Sequence, residues 1–296
     1  MESNQMIKIY ALVLAGMMLT VSCSNEVDYG EQYEKTIYMV NSNNLLYQAE
    51  HFYGEQNKMV FSVYCASSEP VTNDVTVQLE FDRNPLDSLN AVRTLSDPSY
   101  VARELLPQDH YELPANPEVT IRAGQQYGTL EVPFHVDDLD PLKPYTLPMT
   151  IVSNSSGYDM NVQLESIVYE PVMINGYSGS YTGISSESAK VARTVQPALK
   201  ALSANTVLMP VHNLPGDMQY LDTNFMVLTI AADSATVTIA PHGNANVADL
   251  SGSSYDRERQ RFELHYSFTA TNNVTYHITE IIANVKAPVS EEDEVL

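Results

Sequence analysis

The chain has 296 residues, with 15 basic against 37 acidic side chains and a net charge of −22. That surplus repels a phosphate backbone and an anionic bilayer surface, which excludes nucleic-acid binding and electrostatic membrane docking as main activities. With 44% hydrophobic residues, 19 Tyr, no Trp and two Cys, the chain can fill a core in each of two domains but cannot build a thiolate metal cluster.

Met1 to Lys8 is polar and carries Lys8. Ile9 to Val21 is apolar or small, and shorter than the roughly 20 residues that a bilayer-spanning helix needs. A basic start followed by a short apolar core predicts a secretory signal peptide over residues 1–22. Leu19-Thr20-Val21-Ser22-Cys23 resembles the bacterial lipobox. The resemblance implies that the Cys23 thiol takes diacylglycerol as a thioether and that Cys23 becomes the mature N-terminus, with further acylation by fatty acids such as palmitate. Two or more acyl chains, at about 0.8 kcal/mol per CH₂, anchor stably. Ser24-Asn25-Glu26-Val27-Asp28 resembles the surface-export signal of Bacteroidetes lipoproteins, which implies the outer membrane and its outer face. Residues 23–35 then form a lipidated tether. With Cys23 acylated only Cys65 remains, in an alternating stretch from Met59, and it is expected as a small buried strand residue.

From Thr36 the hydrophobic pattern has period two. Expected strands are Met59–Tyr64, Val75–Phe81, Val119–Ile121, Leu130–Val136, Tyr145–Ile151 and Ile167–Tyr169. Short alternating strands between Asn, Gly, Pro and Asp turns predict an Ig-like β-sandwich over residues 36–170. Pro133 and Pro148 lack an N–H and are expected on edges or at bulges. Asp97-Pro98 is expected to start a two-turn helix over Ser99–Leu106. Glu170-Pro171 is the expected domain boundary.

Residues 174–288 are expected to form a β-rich, barrel-like domain with one helix. Gly176 to Gly183 places three glycines around two tyrosines, which suits a strand that bends or is closely approached. Val191, Val195, Ala198 and Leu202 recur at helical spacing, so Ser186–Ser203 is the helix candidate, kinked at Pro197. Phe225–Ile230 and Ala235–Ile239 are expected strands. Arg261 to Val285 folds back on itself: placing Ala270 opposite Val274 pairs Phe268 with Tyr276, Tyr266 with Ile278 and Phe262 with Ile282. A one-residue slip would scatter that apolar face. Residues 289–296 form an acidic tail.

No nucleophile elbow, zinc-protease helix, phosphate loop or dinucleotide fingerprint is present in the sequence. Asp137-Asp138-Leu139-Asp140 lacks the glycine and distal Glu of a calcium loop and reads as a solvated turn. His265 and His277 share a face of the last hairpin without a third ligand, so an exposed polar face is expected rather than a metal site. No catalytic residue, metal or cofactor is predicted, and the chain is read as a non-enzyme. A hydrolase of unrecognised type would need two close carboxylates in a cleft, about 5 Å apart for a retaining glycosidase.

Four segments occur in a recognisable order: Asn73-Asp74-Val75-Thr76-Val77, Leu106-Pro107-Gln108-Asp109-His110-Tyr111-Glu112-Leu113, Val119-Thr120-Ile121-Arg122-Ala123-Gly124 and Tyr145-Thr146-Leu147-Pro148-Met149. Together they resemble the β-sandwich domain of unknown function near the N-terminus of Bacteroidetes surface lipoproteins, which also precedes the catalytic module of some surface endo-β-N-acetylglucosaminidases. Gly176-Tyr177-Ser178-Gly179, Ala201-Leu202-Ser203-Ala204-Asn205-Thr206 and Ser254-Tyr255-Asp256 resemble a second, calycin-like domain of unknown function. The pairing is typical of polysaccharide-utilisation loci. It implies a non-catalytic surface lipoprotein that captures an oligo- or polysaccharide and works with an outer-membrane uptake complex. The alternative is a structural or adhesive lipoprotein that binds protein. Sugar rings stack on aromatic faces, and Tyr220 and Tyr255, in loop-like polar stretches, are the ligand-binding candidates. Asp87-Ser88-Leu89 and Asp233-Ser234-Ala235 resemble the Bacteroidetes O-glycosylation motif, with Ser88 and Ser234 as acceptors.

Overall fold

The computed structural model describes residues 34–187 and 191–286. The first domain holds β1 (Thr36–Met39), β2 (Leu46–Phe52), β3 (Asn57–Ala66), β4 (Val75–Phe81), helix α1 (Asn84–Ser96), β5 (Glu104–Leu105), β6 (Glu118–Ile121), β7 (Tyr127–Phe134), β8 (Tyr145–Asn154), β9 (Asp159–Met160) and β10 (Ser166–Ile174). Period-two alternation decides the layers. Met59, Phe61, Val63 and Cys65 of β3 are buried, and they meet Val75, Val77 and Leu79 of β4 in one apolar core. One sheet runs β7-β3-β1-β9. The other runs β2-β10-β8-β4-β6, with β5 added beside β8. This is the expected sandwich.

Pro133 lies on the edge strand β7, where a missing donor costs nothing. Pro148 is in the central strand β8, but at a gap in the ladder. There β4 has ended at the Phe81–Met149 pair and β5 begins only at Leu105–Thr146.

The helix is not where the sequence pattern put it. It precedes Asp97 instead of following it. Asp82 Oδ1 accepts the Asn84 N–H at 2.9 Å, Pro85 occupies the first turn, and Leu86 and Leu89 are buried against Val168. Residues 97–103 are held out of a helix by side chains that take the place of backbone partners. Asp97 Oδ1 accepts the Ser99 N–H, and Asn90 brackets Arg103 through its N–H and its carbonyl, at 2.9 Å each.

The second domain holds β11 (Gly179–Glu187), β12 (Arg193–Val195), β13 (Ala198–Ser203), β14 (Thr206–Pro210), β15 (Phe225–Ile230), β16 (Val237–Pro241), β17 (Val247–Asp249), β18 (Ser254–Asp256), β19 (Arg261–Thr269) and β20 (Thr275–Asn284). Its sheet runs β16-β15-β14-β13-β11-β20-β19-β17, with β12 beside β11 and β18 beside β19. The two ends approach each other: the Val237 N–H donates to the Ser253 carbonyl, and Tyr255 N–H to that of Ala235 at 2.7 Å, so the sheet is a nearly closed barrel. The hairpin β19–β20 has the expected register, Phe268 with Tyr276, Tyr266 with Ile278 and Phe262 with Ile282. Tyr181, Tyr266 and Phe262 are fully buried and fill the interior, so the barrel holds a packed core where a lipocalin-type barrel would hold a ligand.

Where a helix was expected over Ser186–Ser203, the described residues form the end of β11, then β12 and β13. Val191 is 90% exposed, while Leu199 and Ala201 face the core and Ala198 and Lys200 point away. Pairing of β13 with β11 and β14 overrides a pattern that also fits 3.6 residues per turn. The only helix that the second domain shows among the described residues is the single turn Leu221–Asn224, preceded by a 3₁₀ turn.

Candidate functional site

Glu170-Pro171 lies inside a strand and does not break the chain. β10 pairs in parallel with β2 from Val168–Leu46 to Ile174–Phe52, and the Tyr53 N–H extends the ladder to the Ile174 carbonyl. The turn comes at Asn175. Its Oδ1 accepts the Tyr177 N–H at 2.9 Å, and its Nδ2 donates to the carbonyls of Ser203 at 2.7 Å and Thr206 at 3.1 Å. Asn175 thereby ties the β13–β14 hairpin of the second domain to the end of β10.

This connection leaves a cleft of about 630 Å³ between the domains. Pro171 to Ile174 of β10 form its floor. The loop from Leu139 to Tyr145 supplies one wall, and Ala198 to Ala201 of β13 the other. Tyr53 and Tyr145 are its aromatic residues, both half-buried. Lys200 Nζ donates to the Leu142 carbonyl at 3.3 Å, across the domain junction. Burial lowers the Lys200 pKa, with the charges of Glu170 and Asp140 acting the other way. Arg103 Nε contacts Glu170 at 3.0 Å, and Gln48 donates to the same carboxylate at 2.9 Å. Lys143 pairs with Glu104 at 2.9 Å. The cleft offers an apolar floor, two phenol rings and a ring of charged and amide groups, the composition of a small-molecule site.

A second polar cluster lies within the barrel. The Tyr266 hydroxyl donates to Glu280 Oε2 at 2.7 Å and accepts the His212 backbone N–H at 2.9 Å. Ser185 Oγ donates to the same carboxylate oxygen at 3.3 Å and lies 2.7 Å from His212 Nδ1. His212 Nε2 is 3.5 Å from Glu187 Oε1. Glu280 is fully buried, and burial pushes its carboxyl up to about 7 against the two hydrogen bonds that favour the anion. Burial, then the neighbouring carboxylate, holds the Tyr266 hydroxyl well above its ordinary pKa. A serine beside an imidazole is the geometry of an activated nucleophile. Ser185 has no exposed surface, however, so no substrate carbonyl can reach it, and the cluster acts as a buried polar staple.

The sequence-predicted residues fall elsewhere. Tyr255 is not in a loop: it is in β18, 5% exposed, with its ring 5.0 Å from Tyr177 and 4.6 Å from Phe262. It has no free face for a sugar, because β18 is the strand that helps close the barrel. Tyr220 is 41% exposed on the 3₁₀ turn and is not part of the cleft. Ser88 is exposed on α1 and Ser234 is half-buried in a turn at φ 57°. Asp233 accepts from the Ala235 and Thr236 N–H groups and from Thr236 Oγ1, which lowers its pKa to about 2. His265 Nε2 contacts Glu263 at 3.3 Å, His277 is exposed, and the described residues contain no cluster of three potential ligands. Cys65 is fully buried, as expected. Cys23, the signal peptide and the acidic tail lie outside the described residues.

The cleft residues come from six separate stretches, and no local motif marks them. Glu280 did carry a signal: it is the one carboxylate in the inward stripe Tyr276, Ile278, Glu280, Ile282.

Comparison with known proteins follows the same two-part division. Residues 33–157 match the family model of an N-terminal domain, and residues 165–283 match that of a C-terminal domain. No curated protein matches the sequence. Among solved structures, a multidomain protein including DUF1735 from Bacteroides ovatus is 19% identical, with 86% of this chain and 93% of that chain covered at a TM-score of 0.59. A protein of unknown function from the same organism is 17% identical, covering 86% and 94%, with a TM-score of 0.58. An auxiliary nutrient binding protein from Bacteroides thetaiotaomicron is 14% identical, covering 79% and 89%, with a TM-score of 0.56. Two family models, one of an N-terminal and one of a C-terminal domain, thus match successive parts of the chain over 33–157 and 165–283, and its fold is the one shared by these Bacteroides proteins.

Proposed function

We propose that this chain is a non-catalytic surface lipoprotein that captures a saccharide in the cleft between its domains and passes it to an outer-membrane uptake complex. The observation that carries the reading is the cleft itself, about 630 Å³ and walled by both domains. Its size suits a few sugar units, Tyr53 and Tyr145 offer rings for stacking, and Glu50, Asp140 and Asn284 offer hydrogen bonds to hydroxyls. A protein of the same fold is described as nutrient binding, which agrees with this reading. The chain would be held at the outer membrane through acylated Cys23.

A glycan array probed with the full chain tests the reading. Saturable binding to one glycan class is expected, weakened at least about tenfold by Tyr53→Ala or Tyr145→Ala, a loss of about 1.4 kcal/mol. Tyr220→Ala is expected to leave it unchanged. Absence of binding to every glycan would remove the reading. The protein-interaction alternative would then gain from the exposed face of α1, where Val92 and Leu95 are 64% and 88% exposed. Separately, Cys23→Ser should move the protein from the membrane fraction to the soluble one; retention in the membrane would refute the lipid anchor.

A further inference from the structure

We propose that the cleft takes an acidic saccharide, and that the Lys200 ammonium reads a carboxylate or sulfate on the sugar. This rests on the capture reading above and names its ligand class. The chain carries 15 basic residues against 37 acidic ones, so most of its surface repels anions. The cleft departs from that balance. Lys143, Lys200 and Lys286 line it together with Glu50, Asp140 and Glu170, three of each sign.

The pairing inside the cleft sharpens the contrast. Glu170 is already matched by Arg103 at 3.0 Å, and Lys143 by Glu104 at 2.9 Å. Lys200 is held differently. Its hydrogen bond goes to a neutral carbonyl, that of Leu142, at the long distance of 3.3 Å. Lys200 stays open to solvent in the cleft, and partial burial of its side chain lowers its pKa while the charges of Glu170 and Asp140 act the other way. Its ammonium donates to a main-chain carbonyl and, among the described residues, lacks a hydrogen bond to a carboxylate. An anion entering the cleft would supply that bond. A neutral sugar could stack on Tyr53 or Tyr145, yet would leave the ammonium as it is. Lys286 follows β20 on the same cleft, where a second acidic group along an oligosaccharide would find it.

Calorimetry on the detergent-solubilised full chain tests the proposal with two matched pairs of probes. One is oligogalacturonate and its carboxyl-reduced neutral counterpart. The other is a chondroitin sulfate oligosaccharide and its desulfated form, which still carries uronate. The expected result is at least about tenfold tighter binding of oligogalacturonate than of its neutral counterpart, weakening with added salt. Sulfate is the reading group if desulfation abolishes binding, and carboxylate if it does not. Lys200→Gln should erase the preference for the acidic probe, Lys200→Arg should keep it, and Lys286→Gln should reduce it less. Equal binding within both pairs of probes, or a preference that survives Lys200→Gln, overturns the proposal and leaves saccharide capture intact. If the array gives a ligand but no acidic probe binds, the proposal falls alone; if no glycan binds at all, both readings fall.

Discussion

Replacing Glu280 with Gln is expected to remove a pH dependence from the stability of the barrel. The Glu280 carboxyl is fully buried, accepts hydrogen bonds from Tyr266 and Ser185, and has been pushed from its ordinary 4.5 up to about 7, chiefly by burial. Its Oε1 has no hydrogen-bond partner among the described residues, which makes the anion costlier than the acid. Below about pH 4.5 both folded and unfolded chains hold this proton. Between 4.5 and 7 the unfolded chain releases it while the folded chain keeps it, so stability falls as pH rises, and the loss is complete above about 7. At about 1.4 kcal/mol per pKa unit, the group accounts for roughly 3 kcal/mol. Urea unfolding from about pH 4 to pH 8 measures it. The difference between Glu280→Gln and the parent should move by about 3 kcal/mol in the variant's favour across that window. A difference that stays flat would mean that the Glu280 carboxyl holds its proton no more tightly in the folded chain than in the unfolded one.

Gly183→Ala should be the most damaging single methyl in the second domain. Gly183 stands opposite Ile282 in the β11–β20 ladder, and a Cβ there would strike the Ile281 carbonyl and the Ile282 Cα. Backbone atoms cannot step aside as a flexible side chain can. The ladder pairs seven residues, from Tyr181–Asn284 to Glu187–Ile278, and spreading it would also move Ser185 away from Glu280. A loss of roughly 3 kcal/mol is expected. Gly176→Ala is the control: a Cβ meets nothing within 4 Å there, and the change should stay within about 0.5 kcal/mol. Similar unfolding midpoints for the two variants would show that β11 and β20 are not packed this closely in solution.

The two predictions depend on features that were unequally legible in the sequence. The glycines around Tyr177 and Tyr181 signalled a closely approached strand, and Gly183 is that point. The register of β19 against β20 was legible because only one alignment keeps Phe262, Tyr266 and Phe268 on a shared face with Ile282, Ile278 and Tyr276. The segment over Ser186–Ser203 was misread for a physical reason. Val191, Val195, Ala198 and Leu202 fit a helical face, while Leu199 and Ala201 fit a strand just as well. Local spacing cannot choose between them, and the partners β11 and β14, one from earlier and one from later in the chain, do. Tyr255 was misplaced for the same reason: three residues of strand next to polar neighbours look like loop until β19 pairs with them.

By itself the sequence determined the class of each half. Side-chain alternation is a property of neighbouring residues, and it specifies a sandwich and then a β-rich barrel without reference to anything distant. Tertiary structure alone decided the cleft, because Tyr53, Tyr145, Met173 and Lys200 meet only after β10 carries the chain out of one sheet and Asn175 ties its end to the β13–β14 hairpin. It also decided the state of Glu280. A carboxylate on an inward stripe is visible in the sequence, but the Tyr266 and Ser185 hydroxyls that hold it come from other strands, and its proton affinity depends on how completely they and the barrel wall exclude water.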